Sequence, residues 1–199
     1  MTRPLVLVHG LWDTPRLFHR LVQRLDPRLD RPLLIPHLPH GLGVVPLRAL
    51  AAQLDQHIHD RFGPSQELDL LGFSMGGVIA RIWLQERNGA ARVHRFFSVG
   101  SPQNGTLAAV PLPRRWLAGA ADMKIGSALL RDLNRDVSAL DRIICRSYFS
   151  PWDLIVCPGW RAVLPRGQRQ RLPVWTHQQL IAHPVALAVS YTHLRAHET

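Results

Sequence analysis

Leu68-Asp69-Leu70-Leu71-Gly72-Phe73-Ser74-Met75-Gly76-Gly77 is the stretch on which the reading of this 199-residue chain turns. A short apolar run, Leu68 to Leu71, leads into Gly72-Phe73-Ser74-Met75-Gly76, and an amphipathic segment of helix length follows from Met75 to about Arg87, closed by Asn88-Gly89. In that setting the chain turns sharply from strand to helix and lifts a serine hydroxyl above the strand end. Glycines flank the serine because side chains there would collide where the chain folds back on itself. A Gly-x-Ser-x-Gly pattern alone arises by chance in roughly one chain of this length in fifteen, so the strand before it and the helix after it carry the weight.

Outward from this turn, short apolar runs alternate with helix-length segments, the pattern of a mostly parallel α/β sheet of about six strands flanked by helices. Leu5 to Val8 predicts a strand buried on both faces, ending in His9-Gly10. Pro15 opens a helix to about Leu25, with Leu17, Phe18, Leu21, Val22 and Leu25 on one face. Leu33 to Ile35 reads as a second strand among prolines 32, 36, 39 and 46, and Leu47 to Phe62 as a helix stopped by Gly63-Pro64. Strands are further expected at Val93 to Val99, Ile143 to Phe149 and Arg171 to Val174, with a last helix from about Gln178 towards Val189.

One domain, residues 1–189, accounts for this pattern, with an excursion at 105–141 where the alternation is suspended. Leu107 to Ala120 is apolar but broken by Pro111 and Pro113, and only Ser127 to Leu133 looks helical. Long irregular insertions of this kind are usually functional, which makes the segment a candidate lid. Ser190 to Thr199 fits no structural need and resembles a translated library adapter, so it reads as a non-native scar.

Composition narrows the function classes. An apolar fraction of 46% with 19% charged residues describes a globular chain, and no apolar stretch approaches the roughly 20 residues of a membrane span. Nothing after Met1 reads as a secretory leader, so the chain as written is expected in the cytoplasm. Cys145 and Cys157 have neither a C-x-x-C spacing nor further partners, which points to small buried hydrophobes rather than a zinc site. The formal charge of +10 invites a nucleic-acid reading, but Lys124 is the only lysine and the arginines are scattered, so no nucleic-acid partner is expected. Arg-, Ala- and Pro-heavy usage reads as the mark of a GC-rich coding sequence, with weak attraction to anionic lipid surfaces as the rival reading of the charge.

A serine hydroxyl is a poor nucleophile near neutrality and needs a base within hydrogen-bond reach, held in turn by a third group. In this strand-to-helix setting the partners follow in the order Ser, acid, His, on loops at the C-terminal ends of later strands. Asp153 follows the Ile143 to Phe149 strand at that end, whereas Asp141 lies at the opposite end, about 20 Å away at roughly 3.3 Å per residue. His177, just after the last expected strand, fits the base better than His183, which precedes Pro184 inside the next helix. A developing oxyanion needs N–H donors, expected from Met75 and from Leu11 on the His9-Gly10-Leu11-Trp12 turn.

Val8-His9-Gly10-Leu11, Gly72-Phe73-Ser74-Met75-Gly76-Gly77, Gly100-Ser101-Pro102-Gln103-Asn104-Gly105-Thr106 and the contexts of Asp153 and His177 together resemble the α/β-hydrolases, and within them the small bacterial triacylglycerol lipases and esterases. The resemblance extends from Pro4 to Val189. It implies a serine carboxylic-ester hydrolase with Ser74 as nucleophile, His177 as base, Asp153 as its orienter, and the Leu11 and Met75 amides as oxyanion hole. Trp12 and Trp116 are expected to meet substrate, an acyl ester or lipid, and neither metal nor organic cofactor is implied. Two positions depart from the family: Thr176 stands where glycine often precedes the histidine, and Gln103 or Asn104 where a histidine is common. The alternatives are a thioesterase or acyltransferase on the same three residues, or a non-catalytic binding domain on this scaffold.

Overall fold

A computed structural model of the protein describes residues 3–24, 31–184 and 186. Among them, six strands form one sheet in the order β2-β1-β3-β4-β5-β6: β1 (Leu5–Val8), β2 (Leu33–Leu34), β3 (Leu68–Phe73), β4 (Val93–Val99), β5 (Ile144–Phe149) and β6 (Gln168–Arg171). Every neighbouring pair is parallel. The strands of the centre are largely buried and mostly apolar because helices cover both faces of the sheet, with Asp69 on β3 and Arg95 on β4 as paired exceptions.

Alternate residues feed two cores. Val6, Val8, Leu68, Leu70 and Phe96 face α2 (Leu47–Phe62) and α3 (Met75–Glu86). Leu5, Leu7, Leu71, Phe73 and Phe97 point the other way, towards Phe18, Leu21 of α1 (His19–Arg24), and Leu180 and Ile181 of α6 (Gln179–Ala182). In α2 the buried set is Leu47, Leu50, Ala51, Leu54 and Ile58, the 3- and 4-residue spacing of a single helical stripe. Full burial of each aliphatic side chain in that stripe contributes roughly 2 kcal/mol.

Helix α2 begins after Pro46, which offers no side-chain cap. Its first amide is satisfied from elsewhere: Leu47 N donates to Asp122 Oδ2 at 3.2 Å. Asp122 ends α4 (Ala118–Asp122), is buried, and also accepts from Arg114 Nη1 at 2.9 Å. The excursion at 105–141 is therefore tied into the domain. It holds α4 and α5 (Ala128–Arg135) between short 3₁₀ turns at Leu107–Ala109 and Ser138–Arg142. Helix α5 was legible, starting at Ser127, whose hydroxyl accepts from Leu130 N at 3.2 Å. Helix α4, Ala-Gly-Ala-Ala-Asp, has no apolar periodicity to read and forms where its small residues lie against the Gly41–Gly43 turn.

Three expectations need correction. The sixth strand forms at Gln168–Arg171, not at Arg171 to Val174. Among the described strands it is an edge strand paired only with β5, so its polar side chains face solvent; Leu172 N still donates to Phe149 O at 2.8 Å, Pro173 then has no donor to continue the ladder, and Leu172 and Val174 pack into the core. The second strand stops at Leu34. Cys145 is buried and its thiol is pushed up to about 12 by burial, but Cys157 is only half-buried. Leu25, the tail of the last helix beyond 186, and the Ser190–Thr199 segment lie outside the described residues. Among the described residues no helix is long and apolar enough to cross a membrane.

Two polar features hold the sheet ends. Asp69, fully buried on β3, stands in register with Arg95 on β4 and accepts from Arg95 Nε at 3.1 Å, and Arg31 binds the same carboxylate. At the opposite end, buried His9 accepts from Leu38 N at Nε2 over 3.0 Å, which assigns the ring proton to Nδ1, facing Gly10 O at 3.0 Å. Burial holds the His9 pKa below the ordinary histidine value, outweighing the Gly10 contact, which raises it, and the nearby His40 and His37 lower it further.

Removing the carboxylate with Asp69→Ala takes a buried charge partner from both Arg95 and Arg31 and is expected to cost about 3–5 kcal/mol in denaturant unfolding. A loss below 1 kcal/mol would show the pairing to be incidental. For His9, the unfolded chain binds the proton more readily than the folded one, so its contribution is complete above the unfolded histidine pKa and is lost as pH falls through the acidic range. Wild type should therefore lose more unfolding free energy between pH 7 and pH 5 than His9→Gln. Equal losses in both would contradict this.

Candidate active site

The turn between β3 and α3 puts Ser74 at φ 53°, ψ −129°, a conformation that non-glycine residues rarely adopt. Its N–H donates to Val99 O at 2.9 Å and its carbonyl accepts from Gly77 N at 3.0 Å, so the turn is bonded on both sides. The start of α3 lies directly on the end of β1. A Cβ at Gly76 would stand 2.2 Å from Val8 O, so only glycine allows this approach.

His177 and Asp153 converge from separate loops. Asp153, 2% exposed, lies in the turn after β5, and its Oδ1 accepts from Ile155 N at 2.9 Å and Val156 N at 3.0 Å. Its Oδ2 is 2.7 Å from His177 Nδ1. Two fixed amides aim the carboxylate, and the carboxylate aims the ring. The opposite ring face rests on Phe73, with centroids 4.8 Å apart. His177 Nε2 is buried without a hydrogen-bond partner among the described residues. The ring borders a cavity of about 150 Å³ shared with Ser74 and lined largely by Leu11, Ala109, Leu112, Ile155 and Val156.

Leu11 follows β1 by way of His9-Gly10 and borders this cavity; Met75 opens α3 directly after Ser74. Neither amide finds an acceptor among the described residues, as two donors reserved for a ligand oxygen would not. Trp12 is at the mouth of the cavity, 69% exposed. Trp116 is not part of the lining: it stands 62% exposed on the excursion, with the Arg115 guanidinium 4.7 Å above its ring. His183 ends α6 away from this group, whose lining it does not join. No group of three or more potential metal ligands occurs among the described residues.

The 105–141 excursion supplies one wall. Ala108, Ala109 and Leu112 face the cavity, while Thr106 Oγ1 donates to Ile155 O at 2.7 Å and Leu107 N to Cys157 O at 2.9 Å. Gln103, one of the positions where the resembling family often carries histidine, is buried and structural. Its side-chain NH2 donates to Ser98 Oγ at 2.9 Å and Gly77 O at 3.2 Å, and its main-chain carbonyl accepts from Arg81 Nη1 at 3.2 Å. Arg81 itself is fully buried, and its guanidinium, lowered to about 10 by burial, also holds Leu133 O and Asn134 Oδ1 at the end of α5.

Asp13 was not singled out in the sequence, where Asp13-Thr14-Pro15 reads as the approach to a helix. In the structure it lines the cavity beside Ser74 and His177. A Cβ built on Gly10 would stand 2.8 Å from Ser74 Cβ and 3.0 Å from Asp13 Oδ2, so the carboxylate and the serine share one side of the site. Burial raises the Asp13 carboxyl above the usual range, and His177 and His40 offset part of that.

Comparison with known proteins bears on this arrangement. A sequence profile of the palmitoyl protein thioesterase family matches residues 4–150. No curated protein sequence matches the chain. Among solved structures it is similar to the mature form of the Bacillus licheniformis lipase BlEst2, with 17% identity over 97% of this chain and 92% of that one and a TM-score of 0.75. It is also similar to Aspergillus fumigatus lipase B, with 18% identity over 97% of this chain and 52% of that one and a TM-score of 0.76. The α/β hydrolase MGS-MChE2, from a sediment metagenome of the Mar Chica lagoon in Morocco, gives 20% identity over 98% and 93% and a TM-score of 0.69. At these identities the structures speak for the shared fold, and it is the profile match over most of the chain that assigns the lineage: this protein belongs to the palmitoyl protein thioesterase family, as an ester-hydrolysing serine hydrolase of the α/β-hydrolase fold.

Proposed function

We propose that the chain hydrolyses short-chain carboxylic esters through Ser74, His177 and Asp153. The observation that carries this reading is the unpartnered His177 Nε2, on a ring that is fixed by an amide-anchored Asp153 and borders the cavity shared with Ser74. Ser74 Oγ attacks the acyl carbonyl as His177 Nε2 takes its proton, and the Leu11 and Met75 amides hold the oxyanion. His177 returns the proton to the departing alcohol, and a water activated by the same nitrogen then releases the acid from the acyl-serine. Asp153 keeps the proton on Nδ1 and steadies the imidazolium without being protonated itself. Such hydrogen bonds between serine and base often tighten only when substrate is bound, so the absence of one between Ser74 and His177 among the described contacts fits the role.

Thioester hydrolysis is the second reading, favoured by the family match. The chemistry is common to both, and the cavity decides the acyl group. At about 150 Å³ it has the size that holds a benzene-sized group, well below the roughly 300–1,000 Å³ of pockets for larger ligands. It suits a short acyl chain better than a palmitoyl chain. Leu107 to Ala120 acts in this reading as a lid whose inner face forms the acyl wall, and Trp116 beside Arg115 acts as an outer contact for a substrate-bearing lipid surface, where indole and guanidinium settle at the interface.

Turnover of p-nitrophenyl esters from C2 to C16 should peak at C4 to C6 and fall at least tenfold by C12. A fluorophosphonate probe should label wild type and leave Ser74→Ala unlabelled; equal labelling, or a maximum at C16, would overturn the respective assignment. His177→Ala should reduce kcat/KM by several powers of ten, whereas His183→Ala should leave most of it. The reverse ranking would move the base to His183.

A further inference from the structure

The cavity carries one charge that ester hydrolysis by Ser74, His177 and Asp153 does not use. Asp13 borders it, yet its carboxylate makes no hydrogen bond and no ion pair among the described residues. The other carboxylate of the site, Asp153, is satisfied by two amides and a ring nitrogen. Among the described residues no arginine or lysine lines the cavity, and Arg114, on the wall segment, is engaged by Asp122. In a chain of net charge +10, a half-buried carboxylate in a largely apolar cavity, with the His177 and His40 rings near it but no hydrogen bond or ion pair among the described residues, calls for an account.

Trp12 adds a second observation. It is held at φ 62°, a conformation that costs a bulky residue about 1–3 kcal/mol, and such outliers concentrate at ligand sites. The turn sends its indole out to the rim while its neighbours Leu11 and Asp13 both border the cavity. An exposed indole beside a desolvated carboxylate is the combination that recognises an alkylammonium group: the ring face attracts the cation, and the carboxylate supplies the opposite charge.

We infer that Asp13 and Trp12 form a cation subsite at the mouth of the cavity, so that the enzyme prefers esters carrying an ammonium group near the scissile bond over uncharged or anionic ones. This rests on the cavity being the ester site proposed above. The partial burial of Asp13, which also raises its carboxyl pKa, strengthens the effect, since a partly desolvated anion without a fixed ion pair gains from an incoming cation. A carboxylate-bearing ester would meet like charge at the same point and is disfavoured.

The test uses butyrylcholine and its uncharged isostere 3,3-dimethylbutyl butyrate. Wild type should favour the cation in kcat/KM by about tenfold, a ratio that Asp13→Asn brings to about one and Trp12→Ala lowers in part. Because it is a ratio, a general loss of fold or catalysis cancels from it. A wild-type ratio near one, or a ratio that Asp13→Asn leaves unchanged, overturns the subsite while leaving ester hydrolysis intact. Failure to hydrolyse either ester overturns the functional reading instead. In that event saturation-transfer NMR from Ser74→Ala to tetramethylammonium tests the subsite without turnover: transfer abolished by adding Asp13→Asn supports it, and no transfer, or transfer that persists, overturns it.

Discussion

The left-handed turn at Ser74 is the constraint around which the domain is arranged. It can exist only because α3 starts in contact with the last carbonyls of β1, with glycine at position 76 where any side chain would strike Val8 O. That contact joins two things the chemistry needs in one place. The loop leaving β1 brings the Leu11 amide, and the helix beginning after Ser74 brings the Met75 amide, so both potential oxyanion donors are set by the packing that strains the serine. The strain is about 1–3 kcal/mol, small against the two apolar cores that hold the strands and helices in place.

The wall over the cavity is held by different means. Thr106 fastens its start to the 155–157 loop, and Asp122 near its end caps α2 and binds Arg114. Helix α2 therefore borrows its N-terminal acceptor from a segment 75 residues away in the chain. One exchange links the cavity wall, the helix that covers the sheet and the loop that carries Asp153. A substitution at Asp122 would be felt both as an uncapped helix and as a loosened wall.

How far the residues could be read depended on whether a local rule decided their place. Buried parallel strands are continuous apolar runs, so β1, β3, β4 and β5 were visible within a residue or two, and so was the serine between β3 and α3. Asp153 was visible because only the C-terminal strand ends face the serine. The two amides that aim it were not, since backbone donors leave no mark in the side-chain sequence. Edge strand β6 was displaced because hydrophobicity marks burial, and Gln168–Arg171 pairs with β5 without being buried. Asp13 escaped because an acid before Thr14-Pro15 resembles a helix cap, and only the approach of Gly10 to Ser74 turns it into the site. The alanine-rich α4 has no pattern of its own and is shaped by the turn it rests on.

The borders of the sheet have a consequence for the molecule in a crowd of its own copies. An exposed strand edge is a template on which another chain can add, and any open sheet with an apolar centre has to guard its two edges against such polymerisation. On one side β2 is two residues long, between Pro32 and Pro36, too short to template a ladder. On the other, β6 reads Gln-Arg-Gln-Arg, and a second copy docking there would bring one cationic strand against another. The displacement of the sixth strand from an apolar to a cationic stretch thus gives the protein a charged border that resists fibre growth and keeps its most apolar strands in the middle.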